Sequence, residues 1–152
     1  MKISESDRRL LRLLQRDGRM SNQDLADRAG LSASACWRRV KALEEAGIIS
    51  GYVAEVNAER AGLSFGAIVQ VRLSRHDTAH LDQFIEAVSR RAEVLELFCT
   101  TGEADYHLRV VCEDKHGYNN FLETFLFGLP GIAQVRTNLI LKEIKATSVL
   151  PI

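Results

Sequence analysis

The stretch from Ser21 to Gly47, SNQDLADRAGLSASACWRRVKALEEAG, constrains this chain more than any other. Ser21 can cap a short helix, with Asp24 three residues on. Leu25, Ala26 and Ala29 give that helix a small apolar face. Gly30 ends it, because glycine enters the left-handed conformation at little steric cost. Leu31 is a turn hydrophobe and Ser32 a second N-cap. At about 100° per residue, the helix opened by Ser32 sorts into two faces. Cys36, Val40, Leu43 and Gly47 fall inward. Ser34, Arg38, Lys41 and Glu45 fall opposite, with Trp37 and Arg39 on the flanks. A capped helix, a glycine turn and a second helix with a hydroxyl and cations outward make a helix-turn-helix pattern, whose second helix enters the DNA major groove. A helical hairpin with a solvated basic face carries the same pattern.

On the DNA reading, Ser32, Ser34, Ala35, Trp37, Arg38, Arg39 and Lys41 form the contact surface. Ser34 and Arg38 face base edges, and Arg39 and Lys41 lie nearer phosphates. Trp37 either packs or touches sugar or a thymine methyl. Formal net charge is zero over 152 residues, yet residues 1–47 hold ten Lys and Arg against seven acids. A basic front and an acidic remainder suit a DNA reader joined to a module of another kind. Upstream, residues 4–17 read as a first helix, capped by Ser4 with Asp7 three positions on. Its stripe is Leu10, Leu11 and Leu14, and Gly18 is its stop.

Residues 48–56 suggest extended structure, a short wing or an exit strand, and residues 57–62 a helical turn. A domain boundary is expected at 60/61. From Ser64 the period becomes two: Phe65, Ala67, Val69, Val71 and Leu73 share one face of a strand. A helix over 78–91, strands over 94–101 and 106–112, a helix over 114–127 and a strand from 132 to about 145 follow. The order β-α-β-β-α-β is the ferredoxin-like split unit. The expected fold is therefore α+β, a three-helix (winged) helix-turn-helix domain followed by a ferredoxin-like domain over 61–152. Ile68, Phe98, Val111 and Ile140 lie at the phase opposite to the helix-facing set. They need cover, and a second copy of the sheet can provide it, so at least a homodimer is expected.

Two motifs, DRRLLRLLQRDGRMSNQDLADRAGLSASACWRRVKALEEAGII and TTGEADYHLRV, carry a resemblance that spans essentially the whole chain. They resemble the leucine-responsive regulator/AsnC family of prokaryotic transcription factors. The family places a Gly, two spacers and an Asp between the middle strands, here Gly102 and Asp105. The resemblance implies an amino-acid-responsive regulator whose dimers assemble into octamers. It implies an effector site between dimers, close to the 102–105 turn. The candidate effector residues are Thr100, Thr101, Gly102, Glu103, Ala104 and Asp105, with Arg136 and Thr137 on the last strand as weaker candidates for the rim. An amino-acid zwitterion needs donors for its carboxylate and an acceptor for its ammonium. Asp105 can be that acceptor, or it can bond backbone in an ordinary hairpin turn.

No nucleophile–base pair, phosphate loop or metal-ligand spacing is legible, so no catalytic residue, metal or cofactor is expected. His76 and His80 straddle a helix start, and His107 and His116 stand apart. Three cysteines, Cys36, Cys99 and Cys112, close no disulfide framework, and no run has transmembrane length. A cytoplasmic protein without membrane contact is expected. The expected function is a transcriptional regulator that binds double-stranded DNA. An architectural DNA-coating protein is the first rival, and an enzyme on a ferredoxin-like fold is the second.

Overall fold

The computed structural model describes residues 2–74 and 79–152. His76 and the expected helix start at Thr78 lie outside them. The chain divides into two compact units, Met1–Glu55 with Lys145–Ile152, and Val56–Ile144. The division falls five residues before the expected boundary, and the last eight residues belong to the first unit.

In the first unit, α1 spans Glu5–Leu14, α2 Asn22–Ala29 and α3 Ala33–Glu45. Ser4 and Asp7 form a full capping box. The Ser4 hydroxyl accepts from the Asp7 N–H (3.2 Å), while the Asp7 carboxylate accepts from the Ser4 N–H (2.9 Å) and hydroxyl (2.5 Å). Helix α1 ends at Leu14, before the expected stop at Gly18, and the chain makes two further turn bonds to the Leu13 carbonyl. Ser21 and Ser32 cap α2 and α3, and Gly30 ends α2 at φ 69°. Leu10, Leu25, Ala26, Ala29 and Cys36 form the buried core, flanked by Leu13, Leu14, Met20, Leu31 and Val40. Each fully buried leucine contributes about 1.5–3 kcal/mol relative to an exposed one. Arg9 crosses from α1 to donate to the Ala29 carbonyl (3.2 Å), satisfying one orphan acceptor at the end of α2.

After α3, residues 48–56 pair with no strand among the described residues, and Val53 is 94% exposed. Extended backbone needs a neighbour to form a ladder, and this segment finds none in the single chain. Tyr52 ties it locally by donating to the Glu44 carboxylate (2.9 Å). Burial, followed by that hydrogen bond to an anion, pushes the phenol up to about 12. The C-terminal segment docks on α1. Gln15 pairs with Leu150 at both ends of its carboxamide, accepting from the N–H (2.6 Å) and donating to the carbonyl (3.3 Å). Arg12 donates to the Ile152 main-chain oxygen (2.5 Å).

The second unit is the expected βαββαβ fold: β1 Phe65–Leu73, α4 Ala79–Ser89, β2 Val94–Cys99, β3 Tyr106–Cys112, α5 Lys115–Thr124 and β4 Ile132–Leu139. The sheet order is β2-β3-β1-β4, antiparallel throughout. Ala67, Val69, Val71, Leu108 and Val110 are fully buried with Phe84, Val88, Phe121 and Leu126, so both helices pack on one sheet face. Four elements are shorter than the periodicity suggests, α4 ending at Ser89 and β2 at Cys99, each two residues early. Helix α5 stops at Thr124, and a tight turn over Leu126–Gly128 replaces its last residues. Strand β4 ends at Leu139, with one more bond from Ile140 N–H to the Gly66 carbonyl, because β1 begins at Phe65 and offers nothing further to pair. The opposite face carries Ile68, Val111, Phe98 and Ile140, as their phase suggests, and adds Gln70, Arg72, His107, Arg109 and Arg136. Arg109 forms an ion pair with Glu143, while its Nε is buried without a hydrogen-bond partner among the described residues.

Candidate DNA interface and effector site

Helix α3 is held at three points. Cys36 and Leu43 are fully buried. The Asn22 side chain at the start of α2 donates to the Ala33 carbonyl (3.0 Å). Arg39 reaches the start of α1, where it bonds the Asp7 carboxylate (2.9 Å) and the Ser4 hydroxyl (3.2 Å). Asp7 is only 4% exposed. Burial alone would raise its pKa, but the two Ser4 donors and Arg39 more than offset this and hold the carboxyl below its usual value. The phosphate role expected of Arg39 therefore has a competitor inside the fold: its guanidinium is engaged by a buried anion. That pair fixes where α3 lies, while 41% of the Arg39 side chain stays exposed.

The remaining expected residues fall on one exposed surface. Ser34, Trp37, Arg38 and Lys41 are exposed, and Ala35 is half-buried. Ser32 spends its hydroxyl on the cap, accepting from the Ala35 N–H (3.3 Å), and lies 3.3 Å from the Ser34 hydroxyl. Trp37, at 57% exposed, stands on the free flank with the Lys41 ammonium 5.0 Å from its ring centre. Lys41 also pairs with Glu45 at 3.8 Å. On the other flank, an open depression is lined by Lys2, Asp7, Arg38, Arg39 and Ala42. Lys2 is a cation that the helical pattern of α3 could not have placed there. Apart from Lys2, the exposed set Ser34, Trp37, Arg38 and Lys41 comes from one helix.

The turn between β2 and β3 is built differently. Gly102 takes φ 126°, in open space. The Thr100 N–H donates to the Asp105 carbonyl (3.0 Å), and its hydroxyl to the Ala104 carbonyl (3.2 Å). Asp105 continues the sheet: its N–H donates to the Val71 carbonyl (3.0 Å), and its carboxylate accepts from the Leu73 N–H (2.7 Å). That contact lies beside the register shift at Arg72/Leu73, where the β1–β4 pairing is irregular. One carboxylate oxygen thus pins backbone across two strands, a role that no local turn pattern in the sequence announces. Thr137 shares a face with Val69 and bonds the Tyr118 hydroxyl (2.6 Å), which places it toward α5 and away from the open face. Arg136 faces the other way and pairs with Glu103 at 3.7 Å.

Glu103, Ala104 and Arg136 meet Gln70, Arg72 and Gln134 around a small depression. The sequence reading missed these last three. Their signal was present as polar side chains at the outward phase of β1 (Gln70, Arg72) and of β4 (Gln134), and register then sets Gln70 beside Arg136 and Arg72 beside Gln134. The depression has about 20 Å³, room for one or two waters and not for an amino acid. Thr101 is exposed at the turn tip. Among the described residues, no group of three or more His, Cys, Asp or Glu side chains converges to hold a metal, and no helix is long and apolar enough to cross a membrane. Cys36 and Cys112 are buried, which raises both thiols above their ordinary pKa, and Cys99 is exposed; all three are free.

The family model described as winged helix-turn-helix DNA-binding matches residues 3–50, and that of the Lrp/AsnC ligand binding domain matches residues 66–150. The DNA-binding transcriptional activator DecR of Escherichia coli is 35% identical over 150 residues, covering 99% of both chains. The Bkd operon transcriptional regulator of Pseudomonas aeruginosa is 37% identical, covering 99% of this chain and 98% of its own. A transcriptional regulator of Neisseria meningitidis, solved as a complex with L-Met, superposes with a TM-score of 0.94 at 35% identity, over 99% of this chain and 97% of that one. With a helix-turn-helix surface in one unit and a ferredoxin-like ligand-binding domain in the other, this chain belongs to the Lrp/AsnC family of DNA-binding transcriptional regulators.

Proposed function

We propose that this protein reads spaced half-sites on double-stranded DNA through α3, and that an amino acid tunes that binding from the open face of the sheet. The observation that carries the DNA part is the outward set Ser34, Trp37, Arg38 and Lys41 on a helix anchored by Cys36, Leu43 and the Arg39–Asp7 pair. Arg38 reads a base edge, and Lys41 and Lys2 steer phosphates. Regulation then works by binding rather than by catalysis, in the cytoplasm, where three free thiols are stable.

The effector part rests on the open face. The Neisseria relative was solved with L-Met, and here the 100–105 turn and Gln70, Arg72, Gln134 and Arg136 offer hydroxyls, amides and cations for a zwitterion. Arg72 and Arg136 suit the carboxylate; Glu103, or the second oxygen of Asp105, suits the ammonium. One chain supplies too little volume to enclose the ligand. A second copy over the same face would complete the walls. It would also cover Phe98, and offer a partner to the buried Arg109 Nε. The assembly is therefore a homodimer at least, with an octamer as the family-like form. Effector binding that favours one arrangement of dimers changes the spacing of the paired α3 helices and hence operator affinity.

The test is a duplex-binding titration of the intact protein with and without each of the twenty amino acids, alongside light scattering. Specific duplex binding that shifts with one amino acid supports the whole reading. Binding that ignores all twenty leaves a DNA-coating protein, and a monomer in scattering removes the shared pocket.

A further inference from the structure

We infer that Trp37 is a sequence-reading residue, and that it recognises the C5-methyl of a thymine in the major groove. The inference rests on the DNA-binding reading and names the chemistry of one base contact within it. Among the apolar residues of helix α3, Trp37 is the one that is exposed, the others being buried or half-buried. Cys36 and Leu43 are fully buried and Val40 packs on the core, whereas Trp37, the largest apolar side chain of the helix, is 57% exposed. A tryptophan used for packing would share that core. This one turns its ring to the surface that also carries Ser34, Arg38 and Lys41. An apolar protein partner would have to desolvate those two cations without neutralising them. The major groove offers phosphates for the cations and, on thymine alone, a methyl group for an apolar side chain.

The setting of the ring narrows the contact further. The Lys41 ammonium lies over the indole, 5.0 Å from its centre, and is itself tied to Glu45. That cation occupies one face of the indole and limits stacking there, and the rest of the exposed ring is free apolar surface. The opposite flank of the helix holds the depression lined by Lys2, Arg38 and Arg39. Lys2 beyond one flank and the indole on the other orient α3 in the groove, with the Lys2 side toward a phosphate strand, Arg38 between them, and the Trp37 side toward base edges. The Asn22–Ala33 and Arg39–Asp7 bonds fix the helix so that the ring keeps this position.

The experiment uses the full chain and the tightest duplex it selects from a random-core library. Each thymine of that duplex is replaced singly by deoxyuracil, which deletes only the methyl. At one position, or one symmetric pair, wild type should lose about fourfold in affinity, the worth of one buried methyl group. Trp37→Ala should bind the thymine duplex more weakly and show no thymine–uracil difference at that position. The chain holds a single tryptophan, so its emission should change on wild-type binding. Circular dichroism checks that the variant is folded, and Trp37→Gln gives a second, polar replacement with the same expected loss of discrimination. Wild-type affinity unmoved by every uracil overturns the inference while leaving DNA binding intact. So does a folded variant that keeps the thymine–uracil difference, or that loses equally on both duplexes, which would assign the ring to sugar. A wild-type protein that selects no duplex overturns the DNA-binding reading itself, and this inference with it.

Discussion

The two candidate surfaces differ in how much of themselves one chain can supply. The α3 surface is exposed, and Ser34, Trp37, Arg38 and Lys41 all come from one helix. The depression beside the 100–105 turn is concave, gathers residues from the β2–β3 turn, β1 and β4, and holds about 20 Å³. A reader of a large, preformed polymer needs only a projecting, rigid face. A receptor for a small molecule needs walls around it, and walls come from elements remote in sequence or from another copy. In such a design DNA recognition can be a property of the protomer, while ligand recognition depends on assembly.

The largest expected effect breaks the first surface from beneath. Leu43→Ala removes a fully buried anchor of α3 and should cost the first unit about 2–5 kcal/mol. Thermal unfolding followed by circular dichroism checks it, and retention of full operator affinity at the same temperature would mean that α3 is not the reading element. Next comes the pair that orients α3. Asp7→Ala removes a charged acceptor of Ser4 and Arg39 and should cost about 1.5–3 kcal/mol. Because the folded-state pKa of Asp7 is depressed, its contribution is fully present above the unfolded value of about 3.9 and is lost as pH falls through the folded value. Chemical denaturation from pH 6 down to pH 2 should show a steeper acid loss in wild type than in Asp7→Asn. Arg38→Ala then tests the surface itself. Specific binding should weaken by about 1–3 kcal/mol with effector affinity unchanged. Equal loss on operator and random duplex would make Arg38 a phosphate contact.

The second surface is sharpened by Asp105. Asp105→Ala leaves the Leu73 N–H without its acceptor and should cost about 1–3 kcal/mol of stability, whereas Asp105→Asn keeps an acceptor and should cost about 1 kcal/mol or less. Denaturant titration separates the two. Calorimetry on the folded Asn variant then shows whether the charge also serves an ammonium; unchanged effector affinity confines Asp105 to the sheet. An effect of the same small size is expected from Gln15→Ala, which frees Leu150 from its exposed paired hydrogen bonds at about 0.5–1.5 kcal/mol. Hydrogen exchange at the Leu150 amide reads it directly.

The sequence by itself determined the local devices. Ser4 with Asp7, Ser21, Gly30 and Ser32 act within a few residues of where they stand, so their caps and turn follow from spacing. The period-two run from Phe65 and the helical runs that follow set the βαββαβ order, since one-sided burial imprints its own period. The tertiary structure decided the partners of groups with more than one use. Arg39, legible as a phosphate contact, is turned by the helix crossing onto Asp7, and Trp37 on the opposite flank is left free. Asp105 spans to β1 because the strand register brings the Leu73 N–H to it, and Thr137 turns to Tyr118 because β4 places it on the helix side. Strand β4 stops where β1 runs out, and the final residues return to α1 through Gln15. Each of these contacts joins residues nineteen or more apart, and 135 apart for the tail. Spacing along the chain constrains such pairs weakly, and they form only where packing sets one element against another.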